Sequence, residues 1–238
     1  IFNNMQLILF HHAGGDKYAF QYLSQKLNQD FEIIYYELPG RNYRLNESLL
    51  FDIHQIVDDA YNTILPYTQN DFVFIGMSMG ALISFLVAEK LHQQNKNLPK
   101  HIILSSRKSI EQYSATQLVA NADDETFWNY VKSFGANIDG LLQHQELKNF
   151  YEPILRADFK ALEYFNHHYQ NQLSTQLPIS VSSLIGKDDI HIDIEGANSW
   201  NKFFTKNFDA KAFDGGHFFL YNNDEAIEYI RNKVLSLD

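Results

Sequence analysis

The sequence contains no cysteine, has only 19 Lys and Arg against 29 Asp and Glu, and holds no long apolar run. Each lack excludes something. Without a thiol there is no disulfide framework, thiolate zinc site, iron–sulfur cluster or cysteine nucleophile, so any covalent catalysis uses an oxygen or nitrogen nucleophile. A formal charge of −10 leaves no broad basic face for phosphate backbones, which argues against nucleic acid as a partner. The first apolar run, Leu7 to Phe10, has no basic flank before it and is far shorter than the roughly 20 residues of a membrane span. The expectation is a soluble, cytoplasmic chain without membrane contact. What is present is a chain of 238 residues, 45% hydrophobic and 15% aromatic, with no repeat, low-complexity tract or linker. That composition suits one folded domain over 1–238 with a sizeable core.

Strand and helix signals alternate through the first half. Apolar runs at Gln6 to Phe10, Phe31 to Leu38, Asp71 to Ile75 and His101 to Ser105 read as buried strands. Between them, Phe20, Leu23 and Leu27, then Ile53, Val57, Ala60 and Ile64, then Leu82, Ile83, Leu86 and Val87 recur at helical spacing. Near-continuous apolar strands separated by helices indicate an α/β fold, a mostly parallel sheet with helices on both faces. The pattern breaks at about 108–172, where helical stretches (Asp124 to Ser133, Leu141 to Phe165) occur without a strand. Strands resume at Ile179 to Ile185 and Phe208 to Phe213, and the chain closes with a helix at Glu225 to Leu235. An all-helical insertion of this kind reads as a lid over the strand ends, where open α/β sheets bind ligands. Helices packed beside the sheet are the alternative.

Gly76-Met77-Ser78-Met79-Gly80 is a G-x-S-x-G pattern between a strand and a helix, the setting of a nucleophile elbow. The serine of such an elbow sits on a sharp strained turn, and only small residues two before and two after it let strand and helix backbones approach. Its hydroxyl needs a base, and the base needs a third group to fix its tautomer, in the chain order Ser, acid, His. His217 follows the last strand in the glycine-rich Asp214-Gly215-Gly216 turn and is the best placed of ten histidines. For the acid, Asp189 is favoured, Asp188 is next and Asp193 third, all beyond the strand that ends near Ile185. Backbone N–H groups of Met79, after the serine, and of Ala13, in the first strand-to-helix turn, are the candidates for an oxyanion hole. The G-x-G-x-x-G spacing of a dinucleotide fold is missing from that turn. No metal or cofactor is expected.

These residues together resemble the type II thioesterases, the discrete proteins of α/β-hydrolase fold that serve nonribosomal peptide and polyketide synthases. The resemblance spans nearly the whole chain: Phe10-His11-His12-Ala13-Gly14-Gly15; Glu37-Leu38-Pro39-Gly40-Arg41 with Arg44; the elbow through Ala81; Leu104-Ser105-Ser106-Arg107; Leu155-Arg156-Ala157-Asp158; Gly186 to Asp189; and Gly215-Gly216-His217-Phe218-Phe219-Leu220. Two departures stand out, Met77 where the family usually has His and Ser106 where it usually has Gly. The resemblance implies hydrolysis of acyl groups from the phosphopantetheine thiol of acyl or peptidyl carrier proteins by a Ser78, His217, Asp189 triad, with a monomer expected. The other readings are an esterase, acyl-coenzyme A thioesterase or acyltransferase of the same fold, or a non-catalytic binding protein. Carrier proteins are commonly acidic, as this chain is, so docking is expected through a local, largely apolar surface near the lid. The lid aromatics Phe127, Trp128, Tyr130, Phe134, Phe150, Tyr151, Phe159, Tyr164 and Phe165 are candidates for an acyl channel or for lid core. Arg41 and Arg44 are candidates for a phosphate contact or for solvated loop charges.

Overall fold

The computed structural model describes residues 5–113, 118–168 and 176–237. In chain order the regular elements are β1 (Gln6–Phe10), α1 (Gln21–Leu27), β2 (Glu32–Tyr36), α2 (Ile53–Ile64), β3 (Phe72–Met77), α3 (Met79–Gln93) and β4 (His101–Ser105). They continue with α4 (Asp124–Ser133), α5 (Asp139–Gln143), α6 (Gln145–His168), β5 (Ser180–Gly186), α7 (Ile194–Asn198), β6 (Phe208–Phe213) and α8 (Asp224–Leu235). The six described strands form one sheet in the order β2-β1-β3-β4-β5-β6, and every pairing is parallel. This is the α/β architecture expected from the sequence.

Alternation along the strands divides the core in two, because successive side chains of a strand point to opposite faces. Ile8, Phe10, Phe72, Phe74 and Ile102 pack with α2 and α3 on one face. Leu7, Leu9, Val73, Ile75, Met77 and Ile103 pack with α1 and α8 on the other. Helix α2 buries the stripe Ile53, Ile56, Val57, Ala60, Tyr61 and Ile64, and starts where the Asp52 side chain accepts from the His54 N–H at 2.7 Å. Each fully buried Ile or Leu of such a stripe contributes about 1.5–3 kcal/mol. Helix α3 has no such stripe, since Met79 to Glu89 are all buried, as befits the helix behind the nucleophile candidate.

Helices α4, α5 and α6 lie between β4 and β5. The helical stretch expected over Leu141 to Phe165 is interrupted at His144, whose backbone turns extended (ψ 100°); residues 114–117 and 169–172 of the expected insertion lie outside the described residues. The three helices share a small apolar cluster of Phe127, Trp128, Val131, Leu141, Leu142, Leu155 and Phe159. Helix α6 also sends Ala161, Leu162 and Phe165 into the core beneath α2 and α3. The sheet reverses its order between β1 and β3, and in an open α/β sheet the ligand crevice lies beyond the carboxyl ends at that reversal. Ala13 follows β1 and Ser78 follows β3.

Candidate active site

Ser78 occupies a turn of one residue between β3 and α3, with φ 54° and ψ −112°. Such a conformation costs a non-glycine residue about 1–3 kcal/mol and persists only when its surroundings over-determine it. They do so here: the Ser78 N–H donates to the Ser105 carbonyl at 2.8 Å, and its own carbonyl accepts from Ala81 at 3.0 Å. The two flanking glycines are required sterically. A Cβ at Gly80 would stand 2.0 Å from the Phe10 carbonyl oxygen, and one at Gly76 would stand 2.4 Å from the Gly80 carbonyl oxygen. Met79 is the first residue of α3, so its N–H lies outside the helical ladder and points with the positive end of the helix dipole.

The turns after β5 and β6 are pressed together to meet Ser78. A Cβ at Gly186 would lie 2.2 Å from the Gly216 carbonyl oxygen, and the N–H groups of Lys187 and Asp188 donate to Phe213 and Gly215 at 2.8 and 2.9 Å. His217 therefore faces the β5 turn on one side and the elbow on the other. Its Nδ1 is 2.7 Å from Asp189 Oδ2, and its Nε2 is 3.0 Å from Ser78 Oγ. The second Asp189 oxygen accepts from the His191 N–H at 2.9 Å, so both carboxylate oxygens are held. The Asp189 side chain is wholly buried. Asp188 and Asp193 do not join this group: Asp188 is exposed, and Asp193 caps α7 by accepting from Gly196 N–H at 2.8 Å.

Above Ser78 lies a cavity of about 330 Å³ whose walls include His12, Ala13, Gly14, His191, His217 and Phe218 from the sheet side. Of the nine lid aromatics, Trp128, Tyr130, Phe134, Tyr151 and Phe159 line it. Phe127 and Phe165 are core, and Phe150 and Tyr164 are exposed. His191 is a wall rather than a base, stacked on Phe134 at 3.9 Å between centroids and bonded through Nε2 to Ser133 Oγ. Burial, and then the neighbouring His217, hold its imidazole below the usual histidine range.

Several supports could not be read from the sequence. Arg41 is neither a phosphate contact nor a solvated charge. It is buried in a two-pronged pair with Asp158 of α6 at 2.8 and 2.9 Å, and also donates to the Gly15 carbonyl at 3.0 Å. Asp158 in turn accepts from the Gly14 N–H at 2.7 Å, so a lid carboxylate clamps the turn that carries Ala13. Arg44 is likewise held, by Asp59 and Glu47. Ser106 has φ 53°, which explains physically why the resembling family usually has glycine there; its hydroxyl donates to the His217 carbonyl at 2.6 Å. Met77 is buried in the core on the α1 and α8 side. His11 and His12 belong to the first turn. His11 accepts from the Leu38 N–H at Nε2, and burial keeps it well below the usual range. His12 is bonded to the Tyr221 hydroxyl and pushed down to about 3, first by burial and then by His217. A second Ser–His contact, His101 with Ser180 and Ser182, sits at the amino ends of β4 and β5, with Ser182 fully buried.

Among the described residues, no cluster of three or more His, Asp or Glu is arranged to hold a metal ion, and no helix is long and apolar enough to cross a membrane. The chain matches the thioesterase domain family over residues 5–234. It is 31% identical over 227 residues to the gramicidin S biosynthesis protein GrsT of Aneurinibacillus migulanus, covering 95% of this chain and 87% of that one. It is 29% identical over 232 residues to the medium-chain S-acyl fatty acid synthase thioesterase of Rattus norvegicus, covering 96% and 86%. In fold it is similar to RedJ, the thioesterase from the prodiginine biosynthetic pathway of Streptomyces coelicolor, with a TM-score of 0.85 at 22% identity over 96% of this chain and 84% of that one.

Proposed function

This chain belongs to the thioesterase family, and on that premise we propose that it hydrolyses acyl groups from the phosphopantetheine thiol of carrier proteins of a nonribosomal peptide or polyketide synthase. The observation that carries the reading is the run of hydrogen bonds from Asp189 through His217 to Ser78, at 2.7 and 3.0 Å, opening on a cavity walled by the lid helices. A relative named for gramicidin S biosynthesis at 31% identity supports the synthase setting.

In the proposed mechanism His217 Nε2 takes the Ser78 hydroxyl proton as Oγ attacks the thioester carbonyl carbon. The carbonyl oxygen becomes an anion held by the N–H groups of Met79 and Ala13, beside the positive end of α3. As the intermediate collapses, the carbon–sulfur bond breaks and the proton on His217 passes to the departing thiolate. A thiol with a pKa near 8.5 leaves more readily than an alcohol, so little is asked of His217 as an acid. Water then repeats the sequence on the acyl-serine, with Asp189 holding the imidazole in one tautomer throughout. No resident cofactor takes part, because the phosphopantetheine belongs to the partner. Docking is proposed at the outer face of α6, where Leu147, Phe150 and Tyr151 are exposed and Tyr151 also lines the cavity.

The test compares kcat/KM for an acyl carrier protein, the same acyl group on coenzyme A and a nitrophenyl ester. The carrier should be preferred by tenfold or more, and Ser78→Ala should abolish release from all three. Equal rates on carrier and coenzyme A would move the reading to a free-thioester hydrolase.

A further inference from the structure

Arg107 follows β4 by two residues, and the carbonyl of Ser105 before it is the one that receives the Ser78 N–H. It lines the cavity above Ser78 and is only 3% exposed. The other four arginines, Arg41, Arg44, Arg156 and Arg231, each meet a carboxylate. Arg107 meets none among the described residues. Its guanidinium lies over the Tyr113 ring at 4.3 Å and donates weakly to Asn166 Oδ1 at 3.4 Å, while its buried Nε has no acceptor among the described residues. Lys108 lines the same cavity, forms no ion pair among the described residues, and places Nζ 5.1 Å from the Tyr113 ring centroid. A third donor in the wall, Trp128 Nε1, is buried and also lacks an acceptor among the described residues. The one carboxylate among the lining residues, Glu163, is turned to the N–H groups of Val119 and Ala120.

A buried charge without a partner is costly, and persists where something else supplies the opposite charge. In a chain of net charge −10, buried Arg107 and half-buried Lys108, neither paired with a carboxylate among the described residues, stand side by side in the wall of the reaction cavity and mark the place of a bound anion. We propose that the cavity selects acyl groups that carry a carboxylate, half-thioesters of dicarboxylic acids, with the charge received by Arg107 and Lys108. This rests on the thioesterase reading of the same cavity. A carboxylate on the acyl chain fits better than the phosphate of the pantetheine arm, because Arg107 is buried beside the strand end that anchors Ser78. The phosphate is separated from the thioester by the length of that arm. A planar guanidinium takes a carboxylate through two parallel hydrogen bonds, and the Tyr113 ring packs against that of Arg107 at 4.3 Å.

The experiment measures kcat/KM for malonyl and glutaryl thioesters of N-acetylcysteamine, each beside the monoamide of the same length, with wild type, Arg107→Met, Arg107→Lys and Lys108→Ala. Wild type should prefer at least one acid over its amide by about tenfold or more, the scale of a charge-assisted pair. Arg107→Met should lower that ratio by about tenfold, Arg107→Lys should retain part of it, and Lys108→Ala should lower it about threefold. The ratio is independent of any common loss, and the wild-type preference stands as a test even if Arg107→Met does not fold. A wild-type ratio of one or below at both lengths overturns the proposal. So does an equal loss for acid and amide in Arg107→Met, which is the mark of a structural role. The phosphopantetheine thioesters form a second arm: a loss in Arg107→Met confined to them, and equal for acid and amide, assigns the cations to the phosphate and also overturns it. Turnover of neutral thioesters through Ser78 with no acid preference refutes this proposal alone. Absence of all turnover, with Ser78 unlabelled by a fluorophosphonate, refutes the thioesterase reading itself.

Discussion

Replacing Asp158 by Asn removes the charge that joins the lid to the first turn. In the wild type that carboxylate takes two N–H groups from buried Arg41 and one from Gly14, at 2.8, 2.9 and 2.7 Å. An asparagine keeps one acceptor oxygen and turns an NH2 toward donors, leaving the Arg41 guanidinium buried and under-paired. Breaking a buried pair from one side costs about 3–5 kcal/mol, a large share of the about 5–15 kcal/mol by which a domain is stable. The turn that carries the proposed oxyanion donor, the Ala13 N–H, is released as well, so kcat should fall between about tenfold and the 10²–10³-fold associated with losing such a donor. The two effects separate in Arg41→Met with Asp158→Leu. That pair removes both charges and should restore stability to within about 2 kcal/mol of wild type. It leaves the Gly14 N–H without its acceptor, so kcat should stay low. Urea unfolding gives the first quantity and acyl-carrier hydrolysis the second. An Asp158→Asn protein within about 1 kcal/mol of wild type and fully active would refute the clamp, as would a double variant that recovers both properties.

Asp189→Asn should lower kcat by about 10²–10⁴ by favouring the wrong imidazole tautomer, whereas Asp188→Asn, on an exposed side chain, should change it less than about twofold; steady-state kinetics of the two decides. Ser106→Ala keeps the positive φ and loses the bond to His217, costing about 1–2 kcal/mol. Ser106→Gly also relieves the backbone, worth about 1–2 kcal/mol, and should be near wild type in urea; equal losses for both would contradict this. Burial lowers His11 well below its usual range, His12 to about 3 and His101 to about 4. Their unfolded values lie near 6.5, so between these limits protons are taken up on unfolding. Stability from these groups is full above about pH 6.5 and is lost as pH falls, by up to about 1.4 kcal/mol per pH unit for each. His101→Gln should flatten the fall between about pH 6.5 and 5 by up to one proton, and an unchanged slope would contradict the assignment.

The parts of this molecule legible in the sequence are those whose cause is local. Alternating apolar strands, the helix stripe of α2 and the small residues around Ser78 each carry their reason within a few positions, and the elbow's glycines are demanded by backbone approach at 2.0 and 2.4 Å. His217 and Asp189 were legible because the fold puts both at strand ends, but choosing Asp189 over Asp188 needs the side-chain direction that the β5 turn imposes. Contacts between residues distant in the chain were not legible. Arg41 meets Asp158 across 117 positions and Ser106 meets His217 across 111, and no spacing rule announces either. The lid aromatics divide between cavity, core and surface, and no periodicity in the sequence marks the break at His144 that separates α5 from α6.

The central claim is that Ser78 carries the acyl group between the two half-reactions. Rapid-quench intact-mass measurement during turnover of an acyl carrier protein tests it directly. The account predicts a transient adduct equal in mass to the acyl group, mapped by digestion to the peptide containing Ser78, absent in Ser78→Ala and longer-lived in Asp189→Asn. Hydrolysis by Ser78→Ala at the wild-type rate, or an adduct on any other residue, would contradict it.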